Sequence, residues 1–227
     1  TGEYTVRLSA ENALGRYERD LRIVVGDEIA LTPPMGWNSW NCWARDVTQE
    51  QILSSARAMV EKGLADHGWS YINIDDGWQG RRGGRYNAIQ PNKKFPDMAA
   101  LTREIHDMGL RVGIYSTPWI GTYAAHIGSY SDRPDGENEW IEKGLHNENY
   151  RYQKPGGNYW EDRCEVWHHG PYSFVEADVK QWAEWGIDYL KYDWHPLNYY
   201  HVREMFDMLR KIDRDIIFSL SNSAPYG

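Results

Sequence analysis

The sequence predicts an α/β protein: the first five strands of a (β/α)8 barrel, preceded by the last hairpin of a β-sandwich. Three observations carry this. The apolar pattern alternates with period two over the first thirty residues, then changes. From Leu31 onward short apolar strand segments alternate with amphipathic helices, the signature of a parallel sheet built from βα units. Aromatic and polar residues crowd the C-terminal ends of those strands, where such barrels keep their active sites. A doubly wound sheet shares the alternation but needs a phosphate-binding glycine loop after its first strand. That position reads Asn38-Ser39-Trp40-Asn41.

In chain order, Tyr4, Val6, Leu8 and Ala10 alternate with polar residues, Asn12 to Gly15 supply a turn, and Leu21, Ile23 and Val25 form a second alternating strand. A lone hairpin is marginal in water, so further strands are expected upstream of Thr1, and the chain reads as a piece of a longer one. Pro33-Pro34 marks the linker, giving a sandwich end at 1–30 and the N-terminal part of the barrel at 31–227.

The barrel strands are Met35–Trp40, Tyr71–Asp75, Arg111–Ser116, Asp188–Asp193 and Ile216–Ser221. Thr48 and Gln51 form a capping box for the first helix, with Ile52, Ala56, Met59, Val60 and Gly63 on one face. Asp97 caps the second, with Leu101, Ile105 and Met108 inward and Gly109 ending it. Ser173 and Glu176 box the third, which carries Val175, Val179 and Trp182 and stops at Gly186. Asn198 opens the fourth, with Val202, Phe206, Leu209 and Ile212 periodic. From Pro118 to Tyr172 runs a connection rich in Tyr, Trp, Gly, Asn and His without helical period. Connections this long inside domains are commonly functional, and its aromatics predict a packed lid over the cleft.

Composition narrows the chemistry. Net charge is −8, with 33 acidic against 25 basic residues, the wrong balance for a nucleic acid or an anionic membrane. No apolar run is long enough to insert into a membrane. The 12 Trp and 16 Tyr outnumber the four Phe, and flat amphipathic rings suit a carbohydrate partner as well as a core. Cys42 and Cys164 can pair.

Two motifs carry charge at strand ends. In Tyr189 to Trp194 (YLKYDW), Asp193 ends an apolar strand, and Lys191, two residues earlier, points to the same side. An ammonium there keeps a nucleophilic carboxylate ionised; a surface ion pair is the alternative. In Ile72 to Trp78 (INIDDGW), Asp75 and Asp76 repel unless a cation or several hydroxyls share them. A sugar offers such hydroxyls. A metal would want an HxH pair on the first strand, where WNSW stands, and His168-His169 have no partner at ligand spacing. No metal or cofactor is expected.

Met35–Asn41 (MGWNSWN), Gly63–Trp78 (GLADHGWSYINIDDGW), Leu110–Pro118 (LRVGIYSTP) and Trp185–Trp194 (WGIDYLKYDW) together resemble glycoside hydrolase family 27, the melibiase-type α-galactosidases, over residues 31–227. The resemblance implies a secreted or periplasmic retaining enzyme that cleaves terminal α-galactosyl residues by double displacement. It implies Asp193 as nucleophile, Lys191 on ring hydroxyls, Asp75 and Asp76 on the hydroxyls at C4 and C6, Trp40 as an aromatic wall, and Tyr115 beside the nucleophile. It puts the general acid/base aspartate after a sixth strand, beyond Gly227, so the chain alone is expected to be inactive. Glu161, Asp162 and Glu165 in the long connection are the alternative acids. Three departures stand out: Leu220-Ser221-Asn222 where many members read C-E-W, the length of the third loop, and Gly77 in place of a cysteine. Ser221 is expected to face the C2 substituent, which keeps α-N-acetylgalactosaminidase and β-L-arabinopyranosidase open. From another class, a carbohydrate-binding pseudoenzyme fits the same cleft.

Overall fold

The computed structural model describes residues 2–25, 33–137, 169–193 and 199–221. The chain divides into two compact units, Thr1–Leu31 and Thr32–Gly227.

The first unit is an antiparallel hairpin of β1 (Gly2–Asn12) and β2 (Gly15–Val25), in register from Asn12 opposite Gly15. Asn12 Oδ1 accepts the Leu14 amide at 2.8 Å and closes the expected turn. Alternation places Tyr4, Val6, Leu8, Leu21 and Ile23 on one face, all of them exposed. The other face carries cross-strand ion pairs, Arg7–Asp20 and Arg22–Glu3.

The second unit is built on a parallel sheet of five strands: β3 (Gly36–Asn38), β4 (Tyr71–Asn73), β7 (Arg111–Ser116), β10 (Tyr189–Tyr192) and β11 (Ile217–Leu220). They lie side by side in chain order with no reversal, the pattern of a barrel wall rather than of a doubly wound sheet. Two short strands, β5 (Gln79–Gly83) and β6 (Ala88–Pro91), form a hairpin between β4 and the next helix. The Asn73 side chain of β4 lies over Gly113 of β7 so closely that a Cβ there would stand 1.9 Å from Asn73 Oδ1, so any larger residue would have to displace Asn73.

Helices α1 (Trp40–Trp43), α2 (Gln49–Glu61), α3 (Met98–Asp107), α4 (Val175–Trp185) and α5 (Tyr199–Leu209) follow the strands. The Thr48–Gln51 capping box forms on both sides, and Asp97 Oδ1 accepts the Ala100 amide at 2.8 Å. Gly109 and Gly186 end their helices at φ +80° and +85°. Three expectations fail. Val60 is 41% exposed and Leu53 is buried in its stead, because Val60 lies one residue round the helix from the Ile52–Ala56–Met59 stripe. No Ser173–Glu176 box forms: Ser173 is held in strand β9 (Tyr172–Ser173) and its hydroxyl donates to Glu204 at 2.6 Å, so Phe174 becomes the N-cap. On α5, Phe206 is 45% exposed while Met205 and Leu209 are buried. Asn198 lies outside the described residues.

Of the long connection, 118–137 and 169–172 are described, and these parts are packed. Trp119, Ile120, Ala124, Ala125, Ile127 and Tyr130 are buried, and β8 (Tyr130–Ser131) pairs antiparallel with β9 (Tyr172–Ser173). Behind them Arg82 of β5 grips Asp178 of α4 at 2.7 and 3.2 Å and the Gly128 carbonyl at 2.7 Å. Trp140, Tyr159, Trp160, Trp167, His168, Glu161, Asp162 and Glu165 lie outside the described residues, as does Cys164, so the pairing of the exposed Cys42 does too. Trp78, Trp119 and Trp182 are core residues, which places this part of the aromatic excess in packing.

Candidate active site

The site assembles where β3, β4, β7, β10 and β11 end. At the end of β3, Asn38 and Ser39 turn onto the end of β4. Asn38 Nδ2 donates to Asp75 Oδ2 at 2.7 Å while Asn38 Oδ1 accepts the Trp40 amide at 2.9 Å. Ser39 Oγ accepts the Asp75 amide at 2.9 Å, and Asp75 Oδ1 accepts the Asp76 amide at 2.8 Å. Trp40 is half-buried at the start of α1, fixed to the acidic pair through Asn38. Asp75 is 2% exposed, and Lys191 Nζ on β10 meets its Oδ2 at 2.8 Å. The ammonium pairs directly with Asp75, while its charge also favours the ionised form of Asp193, as the same-side placement predicts. Lys191 and Asp193 leave the same face, but the lysine chain extends past β7, which lies between β10 and β4, to reach Asp75.

Asp76, 1% exposed, turns toward the connection after β7. Thr122 Oγ1 donates to its Oδ1 and the Ala124 amide to its Oδ2, each at 2.7 Å. Burial pushes the Asp76 carboxyl up to about 7, against the pull of those two donors, and the neighbouring Asp75 and Asp193 charges add to the rise.

Asp193 follows β10 directly, its amide donating to the Ser116 carbonyl at 2.9 Å. Tyr115, buried on β7, donates its hydroxyl to Asp193 Oδ2 at 2.9 Å. Burial raises the Asp193 carboxyl, while the Lys191 charge and the Tyr115 and Ser221 hydroxyls pull it back. Burial also raises the Tyr115 phenol, as does the adjacent Asp193 charge, so it stays a donor. Lys191 loses some basicity to burial, but Asp75 and Asp193 more than restore it, so the ammonium stays charged. Its Nζ lies 5.2 Å from the Tyr115 ring centroid, a cation–π contact. Ser221, after β11, has its amide on the Tyr192 carbonyl at 3.1 Å and its hydroxyl on Asp193.

The structure thus gathers Asp75, Asp76, Tyr115, Lys191, Ser221 and Asp193 into one cluster, three carboxylates around one ammonium, with Trp40 beside it. Such a cluster offers a carboxylate with fixed lone pairs for attack on an electrophilic carbon, and acceptors for neighbouring hydroxyls. Sequence reading missed Asn38, Ser39, Thr122 and Ala124 as partners of the acidic pair. Asn38 and Ser39 stood inside a motif already singled out. Thr122 and Ala124 carried no local signal, being 46 and 48 residues from Asp76.

The family described as Alpha galactosidase A matches residues 32–144. Alpha-galactosidase A of Cellvibrio japonicus is 34% identical over 202 residues, covering 86% of this chain and 39% of that protein. A crystal structure of a candidate alpha-galactosidase from Bacteroides fragilis is 35% identical with a TM-score of 0.64, covering 96% of this chain and 39% of that one. The Saccharomyces cerevisiae alpha-galactosidase solved with raffinose is 25% identical with a TM-score of 0.62, covering 86% of this chain and 36% of that one. The chain thus spans under two fifths of the length of these proteins.

Proposed function

The barrel unit of this chain belongs to the Alpha galactosidase A family, glycoside hydrolase family 27, and from that premise we propose that the intact protein is a retaining glycosidase of terminal α-galactosyl residues. The observation that carries the reading is Asp193, a buried carboxylate held by Tyr115 and Ser221 within reach of the Lys191 charge. In the first step Asp193 attacks the anomeric carbon, the glycosidic C–O bond breaks, and the leaving oxygen takes a proton from a general acid. The resemblance assigns that acid to an aspartate after a sixth strand, so no residue of this chain is given the role. In the second step water attacks the same carbon, gives its proton to the resulting base, and releases Asp193. Asp75 and Asp76 accept hydrogen bonds from the sugar hydroxyls, Lys191 donates to them, and Trp40 packs on the ring. The raffinose complex of the Saccharomyces cerevisiae alpha-galactosidase supports a carbohydrate ligand.

The parallel sheet is read as five strands of a closed eight-stranded barrel. The β1–β2 hairpin is read as the end of a sandwich, since its exposed apolar face is what a second sheet covers.

The test is covalent trapping in the intact protein. A 2-deoxy-2-fluoro-galactosyl reagent should add one sugar mass to the peptide containing Asp193, and Asp193→Asn should abolish the adduct. An adduct on Asp75 or Asp76 would overturn the assignment.

A further inference from the structure

We propose that Thr122 is a positioning residue for Asp76: its hydroxyl and the Ala124 amide clamp the two carboxylate oxygens, leaving their other lone pairs aimed at the sugar. This rests on the galactosidase reading for the ligand, but the clamp itself is geometric. The segment 121–127 is a tight hairpin, closed by a bridge between Gly121 and Ile127 and by the Thr122 amide on the His126 carbonyl at 2.8 Å. Thr122 Oγ1 accepts the His126 amide at 3.0 Å. With a lone pair so occupied, its proton is directed at Asp76 Oδ1, 2.7 Å away. The hydroxyl thus has its orientation set by the backbone before any ligand arrives. The second donor has a device of its own. Ala125, the residue after Ala124, sits at φ 59°, a left-handed conformation that costs an alanine about 1 kcal/mol or more. Its amide closes the turn on the Thr122 carbonyl at 3.0 Å, and this turn sends the Ala124 amide to Asp76 Oδ2.

The groups facing Asp76 oppose its charge on balance. Asp75 precedes it, Asp193 stands at the end of β10, and the Tyr115 phenol on β7 also feels it, while the cations in range are Lys191 and Lys94. Two donors at 2.7 Å are what keep so buried a carboxylate ionisable near neutrality. Without Thr122 the neutral form gains, and Asp76 becomes a weaker acceptor for a sugar hydroxyl.

The experiment compares intact wild-type protein with Thr122→Val, which keeps the shape and removes the donor, with Thr122→Ser, which restores it, and with Thr122→Cys, a weaker donor of similar size. Infrared difference titration, with the Asp76 band identified by its loss in Asp76→Asn, reads the protonation midpoint without substrate. It should move to higher pH in Thr122→Val, less so in Thr122→Cys, and return in Thr122→Ser. With p-nitrophenyl α-D-galactopyranoside, Thr122→Val should raise KM roughly tenfold near neutral pH, more than it lowers kcat. The difference should close at alkaline pH, where Asp76 is ionised in both. If Thr122→Val fails to fold, the Cys and Ser variants decide by the same titration. An unmoved midpoint, or a loss that Thr122→Ser does not rescue, overturns the proposal. Absence of turnover by the wild type overturns the galactosidase reading instead, and the infrared midpoint still decides the clamp.

Discussion

Replacing Asp178 by Asn breaks a buried ion pair between β5 and α4. Arg82 and Asp178 side chains are 1% and 0% exposed, so water does not screen them. Asp178 accepts from the two terminal Arg82 nitrogens and from the Ile89 amide, the latter at 2.9 Å. An asparagine keeps one acceptor and turns an NH2 toward the guanidinium, donor against donor. Arg82 then keeps the Gly128 carbonyl and the Phe174 ring, whose centroid lies 4.2 Å away. Leaving one charge of a buried pair uncompensated costs about 3–5 kcal/mol, and these two partners favour the lower end. For a unit near 200 residues, each kcal/mol moves Tm about 2–4 °C, so the barrel transition should fall by about 6–12 °C. Calorimetry on the intact protein measures it. The double variant Arg82→Met/Asp178→Leu should lose less than the single one, because it buries no lone charge, although the Ile89 amide stays unpaired. A fall below about 2 °C for Asp178→Asn, or a double variant worse than the single, would refute the reasoning.

Two further outcomes follow from the same accounting. Asp188, at the start of β10, is 2% exposed and accepts His106 Nε2 at 2.7 Å, the Val112 amide at 2.9 Å and Arg214 Nη2 at 2.6 Å. Burial opposes ionisation, but these donors outweigh it and hold the carboxyl below its ordinary value. Its stabilisation is therefore present above the unfolded carboxyl range, near pH 4, and lost as pH falls through the lower folded value. Asp188→Asn should lower Tm at pH 7, with the gap to wild type closing below about pH 4; a gap that persists in acid would contradict this. Lys191→Met removes the ion-pair partner of Asp75 and the counter-charge of Asp193. We expect kcat/KM at neutral pH to fall at least about tenfold and its acid limb to move to higher pH, and an unmoved limb would show that Lys191 does not tune the nucleophile.

The sequence alone determined the elements and the acidic motifs. Period-two spacing located the hairpin, short apolar runs between amphipathic helices located the five parallel strands, and cap chemistry located the starts of α2 and α3, because those signals act within a few residues. Asp75, Asp76, Lys191 and Asp193 were legible as strand-end charges for the same local reason. The tertiary structure decided which charge meets which. Alternation put Lys191 on the face of Asp193, but reach across the sheet gave its ammonium to Asp75, 116 residues away. Ser173 looked like a cap until pairing with Tyr130 in β8 fixed it in a strand and Glu204 took its hydroxyl. Thr122 had no marker at all, since one threonine in a long connection becomes an Asp76 ligand only when the hairpin 121–127 folds over the strand ends. A hydrogen bond has no period along the chain, and its partner is set by where two distant backbones come to rest.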